Sequence, residues 1–180
     1  MNKEKEEQLA ATGATIWTIG HSTRSQEEFL EALLSFQIET LVDVRRYPGS
    51  KKYPHFNVEA LNSYLPEAGI AYLPCTELGG RRKPKPDSKN TVWNSESFRG
   101  YADYAETLEF KNALQDLCEL AAEKRIAYMC SEAVWWRCHR AIISDFLKEA
   151  GWNVMHIMNP GTVKEHPYTA AYREMHHLKT

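Results

Sequence analysis

Cysteine is scarce in this sequence, four residues in 180. A chain of that length buries about 70% of its extended surface on folding, so disulfide staples are not needed and the thiols are expected to be reduced. Long apolar runs are absent too. Nothing approaches the roughly 20 consecutive apolar residues of a membrane span, and Met1 to Gln8 is charged where a secretion signal would be apolar. These absences predict a cytoplasmic protein with no membrane partner. Charge imbalance is missing as well: Lys and Arg number 22 against 24 Asp and Glu, for a formal net charge of −2. That excludes a generally basic protein that coats nucleic acid and leaves only local basic patches to examine. No internal repeat, low-complexity tract or second-domain boundary interrupts the chain, and no Walker sequence or dinucleotide fingerprint occurs. The expected organisation is a mobile tail over residues 1–13, rich in Lys and Glu, followed by a single α/β domain over residues 14–180.

What is present is an alternation of short apolar runs with amphipathic stretches. Thr15–Gly20, Thr40–Arg45, Ile70–Leu73, Ile126–Met129 and Trp152–Ile157 read as strands. Ser25, three residues before Glu28, makes a capping box ahead of the stripe Phe29, Leu30, Leu33, Leu34 and Phe36. Asn57 can cap a helix that Pro66 limits or bends and Gly69 ends. One helical stretch follows Phe98 and ends near Lys124, with Cys118 on its apolar stripe as a small buried hydrophobe. Another, carrying Ile142, Ile143, Phe146 and Leu147, stops at Gly151. Strand and helix in turn imply right-handed crossovers, so the predicted fold is a three-layer α/β sandwich around a mainly parallel sheet of about five strands.

Reactive groups crowd the junction from Met129 to Arg140, where strand gives way to helix. Cys130 closes the strand in a turn flanked by Arg137 and Arg140, which favour a thiolate, and is the candidate nucleophile. Cys138 near the helix start is a candidate partner thiol, and the order of the two is open. His139 and Glu132 are candidate acid/base residues, each with a structural alternative as a hydrogen-bonded or ion-paired group. In open α/β sheets ligands bind beyond the carboxyl ends of the strands, so His21, Arg45, Arg81, Arg82 and Arg140 are candidate substrate-binding residues. Asp43, a carboxylate inside an apolar strand, needs Arg45 or Arg46 as partner. Trp135 and Trp136 either cover the pocket, stack on a base or fill the core. Three readings follow. The leading one is an enzyme acting on an anionic, phosphate-bearing small molecule through the cysteine site. The second is a nucleic-acid-binding module using Lys51, Lys52, Arg81, Arg82 and Lys83 with Tyr47, Tyr53 or Trp135. The third is a metal protein using the two thiols and His139 or His21, although the spacing lacks paired zinc knuckles. No organic cofactor is expected.

Several blocks taken together carry a resemblance: Thr18-Ile19-Gly20-His21-Ser22, Asp43-Val44-Arg45 with Pro48 and Pro54-His55-Phe56-Asn57, Leu78-Gly79-Gly80-Arg81-Arg82, Phe98-Arg99-Gly100-Tyr101, and Cys130-Ser131-Glu132 with Cys138-His139-Arg140. In these the chain resembles the domain-of-unknown-function 488 family. The resemblance implies that Cys130, Glu132, Cys138, His139 and Arg140 correspond to the family's cysteine-x-glutamate and cysteine-histidine-arginine signature. It implies no established reaction.

Overall fold

The computed structural model describes residues 13–178. Of the tail expected over residues 1–13, all but Gly13 lies outside the described residues. The strands are β1 (Thr15–Gly20), β2 (Thr40–Asp43), β3 (Ala71–Pro74), β4 (Ile126–Cys130), β5 (Asn153–Asn159) and β6 (Thr162–Glu165). The helices are α1 (Gln26–Leu34), α2 (Val58–Glu67), α3 (Glu96–Ala105), α4 (Leu108–Glu123), α5 (Arg140–Glu149) and α6 (Ala170–Met175). The sheet order is β3-β2-β4-β1-β5-β6. Every neighbouring pair is parallel except β5 with β6.

Alternate residues of the central strands feed two cores, as the pleat requires. Ile126, Tyr128 and Cys130 of β4 pack on one face with α3, α4 and α5, while Ala127 and Met129 pack on the other with α1 and α2. Helices therefore cover both faces, and the three-layer α/β sandwich expected from the sequence is the observed fold. Burial of each large apolar side chain contributes about 1.5–3 kcal/mol.

Two differences from the expected elements have simple causes. The sixth strand, β6, is exposed along its whole length. Val163 is its one apolar residue, and an edge strand bathed in water carries no alternating pattern for sequence to reveal. The helical stretch before Lys124 is two helices, because the Thr107 side chain accepts the Phe110 amide N–H and starts α4 afresh. The long segment after β3 is tied down despite lacking periodicity. Buried Asp103 accepts the Lys85 amide at 2.7 Å, the Ser88 hydroxyl at 2.6 Å and the Asn90 side-chain amide at 2.8 Å. No described helix is long and apolar enough to cross a membrane.

The strand order decides where chemistry gathers. With β4 between β2 and β1, three segments far apart in sequence leave the sheet side by side at its carboxyl edge. The ladder runs on past the strand ends: the amides of His21, Ser22 and Val44 donate to the carbonyls of Cys130 at 2.9 Å, Ser131 at 2.9 Å and Met129 at 3.0 Å. Gly20 is needed for this approach, since a Cβ there would lie 1.8 Å from the Glu132 carbonyl oxygen.

Candidate functional site

A cavity of about 650 Å³ opens at that edge. Its wall includes Cys130, Glu132, Cys138 and His139 from the junction after β4, His21 from the end of β1, Arg45 from the end of β2, and Arg81 from the glycine loop. Arg82 and Arg140 are not on the wall. Trp135 and Trp136 are also away from it: Trp135 is buried, and Trp136 is half exposed on the surface.

Cys130, Cys138 and His139 form the floor. The His139 Nε2 hydrogen donates to the Val44 carbonyl at 2.9 Å, which leaves Nδ1 facing the thiols. Nδ1 lies 3.5 Å from Cys138 Sγ and 3.9 Å from Cys130 Sγ. The neighbouring Cys138 thiol holds the Cys130 thiol well below its usual range against the cost of burial, and a proton on His139 Nδ1 would add to the effect. Burial raises Cys138, and so does the neighbouring Cys130. The two thiols titrate as a pair, and the directions of their shifts favour the thiolate on Cys130. All three donor atoms lie within 4.8 Å of one another, a spacing short enough for one metal ion. Gly80 backs directly onto this group, since a Cβ there would meet His139 Nδ1 at 2.8 Å.

The arginines divide into those that hold the architecture and those that reach the cavity. Arg45 is almost wholly consumed. Its Nε and Nη2 bind the Asp43 carboxylate at 2.8 and 2.6 Å, and Nη2 also donates to the Phe56 carbonyl at 2.8 Å. Tyr72 donates its hydroxyl to Asp43 at 2.7 Å, so the buried carboxylate is well satisfied. The remaining Nη1 of Arg45 stands 3.4 Å from His21 Nε2. His21 donates from Nδ1 to the Ser22 carbonyl at 3.0 Å and stacks on Phe56 at 4.1 Å. Burial, helped by Arg45, lowers its pKa to about 4, so it is a neutral ring at neutral pH. Arg140 is fully buried and clamps Thr18 Oγ1 at 2.8 Å and the Glu132 carbonyl at 2.7 Å. Arg82 lies over the Tyr104 ring at 3.6 Å and donates to the Gly79 carbonyl at 3.1 Å.

Three cations and one tyrosine on the wall are not among the substrate-binding candidates and carry other expected roles. Arg46 was read only as a partner for Asp43, but instead it donates to the Arg81 carbonyl at 2.9 Å and packs over Tyr47. Lys52 was assigned to nucleic acid, Arg137 only to the flank of Cys130, and Tyr47 to base stacking; all line the cavity. Counting Arg45, Arg46, Lys52, Arg81 and Arg137 against Glu132, five cations face one carboxylate. The signal for them in sequence is a cluster of Arg and Lys beside turn formers after a strand.

Behind the floor, a buried polar chain supports the junction. Asp145 accepts from His166 Nε2 at 3.0 Å, and His166 Nδ1 accepts from His156 Nε2 at 2.9 Å. Trp135 stacks flat on His156 at 4.6 Å between ring centres. Of the three roles open to the tryptophans, Trp135 takes that of core filler.

Fold and site together define an α/β protein with a cysteine-histidine centre at the carboxyl ends of a parallel sheet, set in a cationic crevice. The sequence matches the family described as "Domain of unknown function DUF488" over residues 25–147, more than half of the chain. The protein belongs to that family. No curated protein and no solved structure matched the chain.

Proposed function

We propose that this protein is an enzyme acting on an anionic, phosphate-bearing small molecule that the crevice presents to the Cys130, Cys138 and His139 centre. One observation carries the reading: in a chain of net charge −2, the cavity floored by two thiols and an imidazole is walled by Arg46, Lys52, Arg81 and Arg137, beside the Asp43-paired Arg45, against one carboxylate. Such a local excess of positive charge in a concave site concentrates anions. Arg46, Arg81, Lys52 and Arg137 meet the anion, Arg45 holds the loop behind them, and Glu132 stands at the same wall as an acid/base group.

Calorimetric titration with inorganic phosphate, followed by a turnover screen of phosphate mono- and diesters, tests the proposal. Saturable phosphate binding is expected to weaken at least about tenfold in the double variant Arg46→Ala/Arg81→Ala, since two charge-assisted contacts are lost. Ester turnover is expected to vanish in Cys130→Ser. Absence of phosphate binding at low salt would refute the anion reading.

A second reading is favoured by Tyr47, which is 63% exposed beside the cavity with Arg46 and Arg81 over its ring. An exposed aromatic flanked by guanidiniums is a platform for a nucleic-acid base. It predicts tighter binding of single-stranded oligonucleotide than of phosphate, falling steeply with salt and lost in Tyr47→Ala.

A further inference from the structure

We infer that Cys130 Sγ, Cys138 Sγ and His139 Nδ1 are three ligands of a thiophilic divalent cation of the zinc class, with the remaining coordination position opening into the cationic crevice. Zinc bonds of about 2.3 Å to sulfur and 2.0–2.1 Å to nitrogen give tetrahedral sulfur-to-nitrogen edges of about 3.6 Å. The two edges here are 3.5 and 3.9 Å. His21, the other histidine of the wall, is unsuited: its Nδ1 is bonded to Ser22 and its Nε2 faces Arg45.

The surroundings match what metal ligands require beyond the first contact. The Val44 carbonyl takes the Nε2 hydrogen of His139 and so fixes the tautomer with Nδ1 free. The Arg140 amide donates to Cys138 Sγ at 3.5 Å, and the Ser131 hydroxyl lies 3.9 Å from Cys130 Sγ. Gly80 keeps Nδ1 approachable, because any Cβ at that position would sit 2.8 Å from this atom. On binding, two metal-sulfur bonds and one metal-nitrogen bond form, each sulfur that enters as S–H gives its proton to solvent, and no electrons change hands. Two thiolates neutralise the cation. The open position then accepts water or an anionic oxygen, and the metal supplies Lewis acidity there. Cys130 serves as a ligand in this arrangement and not as the attacking group. This deepens the enzyme reading, which supplies the anion as substrate, while the metal site itself stands or falls separately.

Titration of the reduced full-length protein with cobalt(II), a spectroscopic substitute for zinc, tests the inference. One equivalent is expected to produce thiolate-to-cobalt charge-transfer bands and the intense visible bands of a tetrahedral site. Zinc should displace the cobalt. Cys138→Ser, His139→Asn and Gly80→Ala should each weaken binding at least about tenfold, the scale seen even for lost outer contacts of metal ligands. Cys75→Ser, which changes a thiol outside the trio, should leave the spectrum unaltered, and unchanged far-ultraviolet circular dichroism would show that the variants fold. No charge-transfer band, or equal bands in wild type and Cys138→Ser, overturns the metal site and leaves Cys130 as a free nucleophile. Added inorganic phosphate should shift the visible bands. A cobalt spectrum that phosphate does not touch would uphold the metal site and count against the phosphate substrate.

Discussion

Replacing Asp43 by Ala should be among the most damaging single changes outside the cysteine-histidine centre. The carboxylate is fully buried in β2. It accepts the backbone amide of Arg45 at 3.1 Å, the Arg45 guanidinium through Nε and Nη2, and the Tyr72 hydroxyl. Its removal strands a guanidinium that is itself only 5% exposed and leaves a buried phenol without its acceptor. Breaking a buried pair in this way costs about 3–5 kcal/mol, because one charge stays behind unpaired. For a domain of this size each kcal/mol moves Tm by about 2–4 °C, so a loss of roughly 6–20 °C is expected. Differential scanning calorimetry and urea unfolding would measure it. The decisive comparison is Asp43→Leu/Arg45→Met, which removes both charges and should recover much of the loss. If Asp43→Ala costs under about 1 kcal/mol, or if the double variant is no more stable than the single one, the pair is not the buried, desolvated link described here. The same variant should also disturb the cavity, since Arg45 anchors the Phe56 carbonyl and stands beside His21.

Two further outcomes follow from the same contacts. His21 has a folded pKa lowered from 6.5 to about 4, so the unfolded chain binds its proton first as pH falls. The contribution, up to about 3 kcal/mol, is fully present above about pH 6.5 and is lost as pH drops toward 4. Nuclear magnetic resonance titration of the His21 ring should give a midpoint near 4, and a midpoint of 6 or above would contradict the burial argument. The neighbouring tryptophans should behave as opposites. Trp135→Ala, which opens a void against His156, should cost about 3–5 kcal/mol, whereas Trp136→Ala, on the surface, should stay within about 0.5 kcal/mol; similar losses for both in urea unfolding would refute the assigned positions.

The elements legible in sequence are those whose burial leaves a mark in composition. β1, β2, β4 and β5 announce themselves through mainly apolar runs because most of their residues are buried, and α1 through Ser25, Glu28 and its apolar stripe. β6 is illegible because Thr162 to Glu165 touches water throughout and its pairing with β5 comes from the tight connection, not from composition. At the site, the concentration of chemistry after β4 is visible as a string of reactive residues, but its geometry is not. Which nitrogen of His139 faces the thiols depends on the Val44 carbonyl, 95 residues earlier. Similarly, Arg82 and Arg81 look equivalent as neighbours in a basic loop. Tyr104 captures one guanidinium while the other stays on the cavity wall.

That unequal use of neighbouring cations bears on how the site keeps its charge. Free arginines packed around an empty crevice would repel one another and fold the loops outward. Here Arg45, Arg82 and Arg140 spend their donors on Asp43, on backbone carbonyls and on Thr18, and in doing so they tie the loops after β2, β3 and β4 to the sheet and to α3. The neutral form of His21 further limits the positive charge at the floor. Arg46, Arg81, Lys52 and Arg137 can then project from a fixed frame, and on the proposed reading an anion would meet cations already in place, with little ordering left to oppose binding. The thiols gain from the same frame, because the Arg140 side chain that pins the Glu132 carbonyl also belongs to the residue whose amide reaches Cys138 Sγ. On the proposed reading, anion capture and the tuning of the sulfur centre would rest on shared residues, so a change at Arg140 should impair both at once while a change at Arg137 should impair only the first.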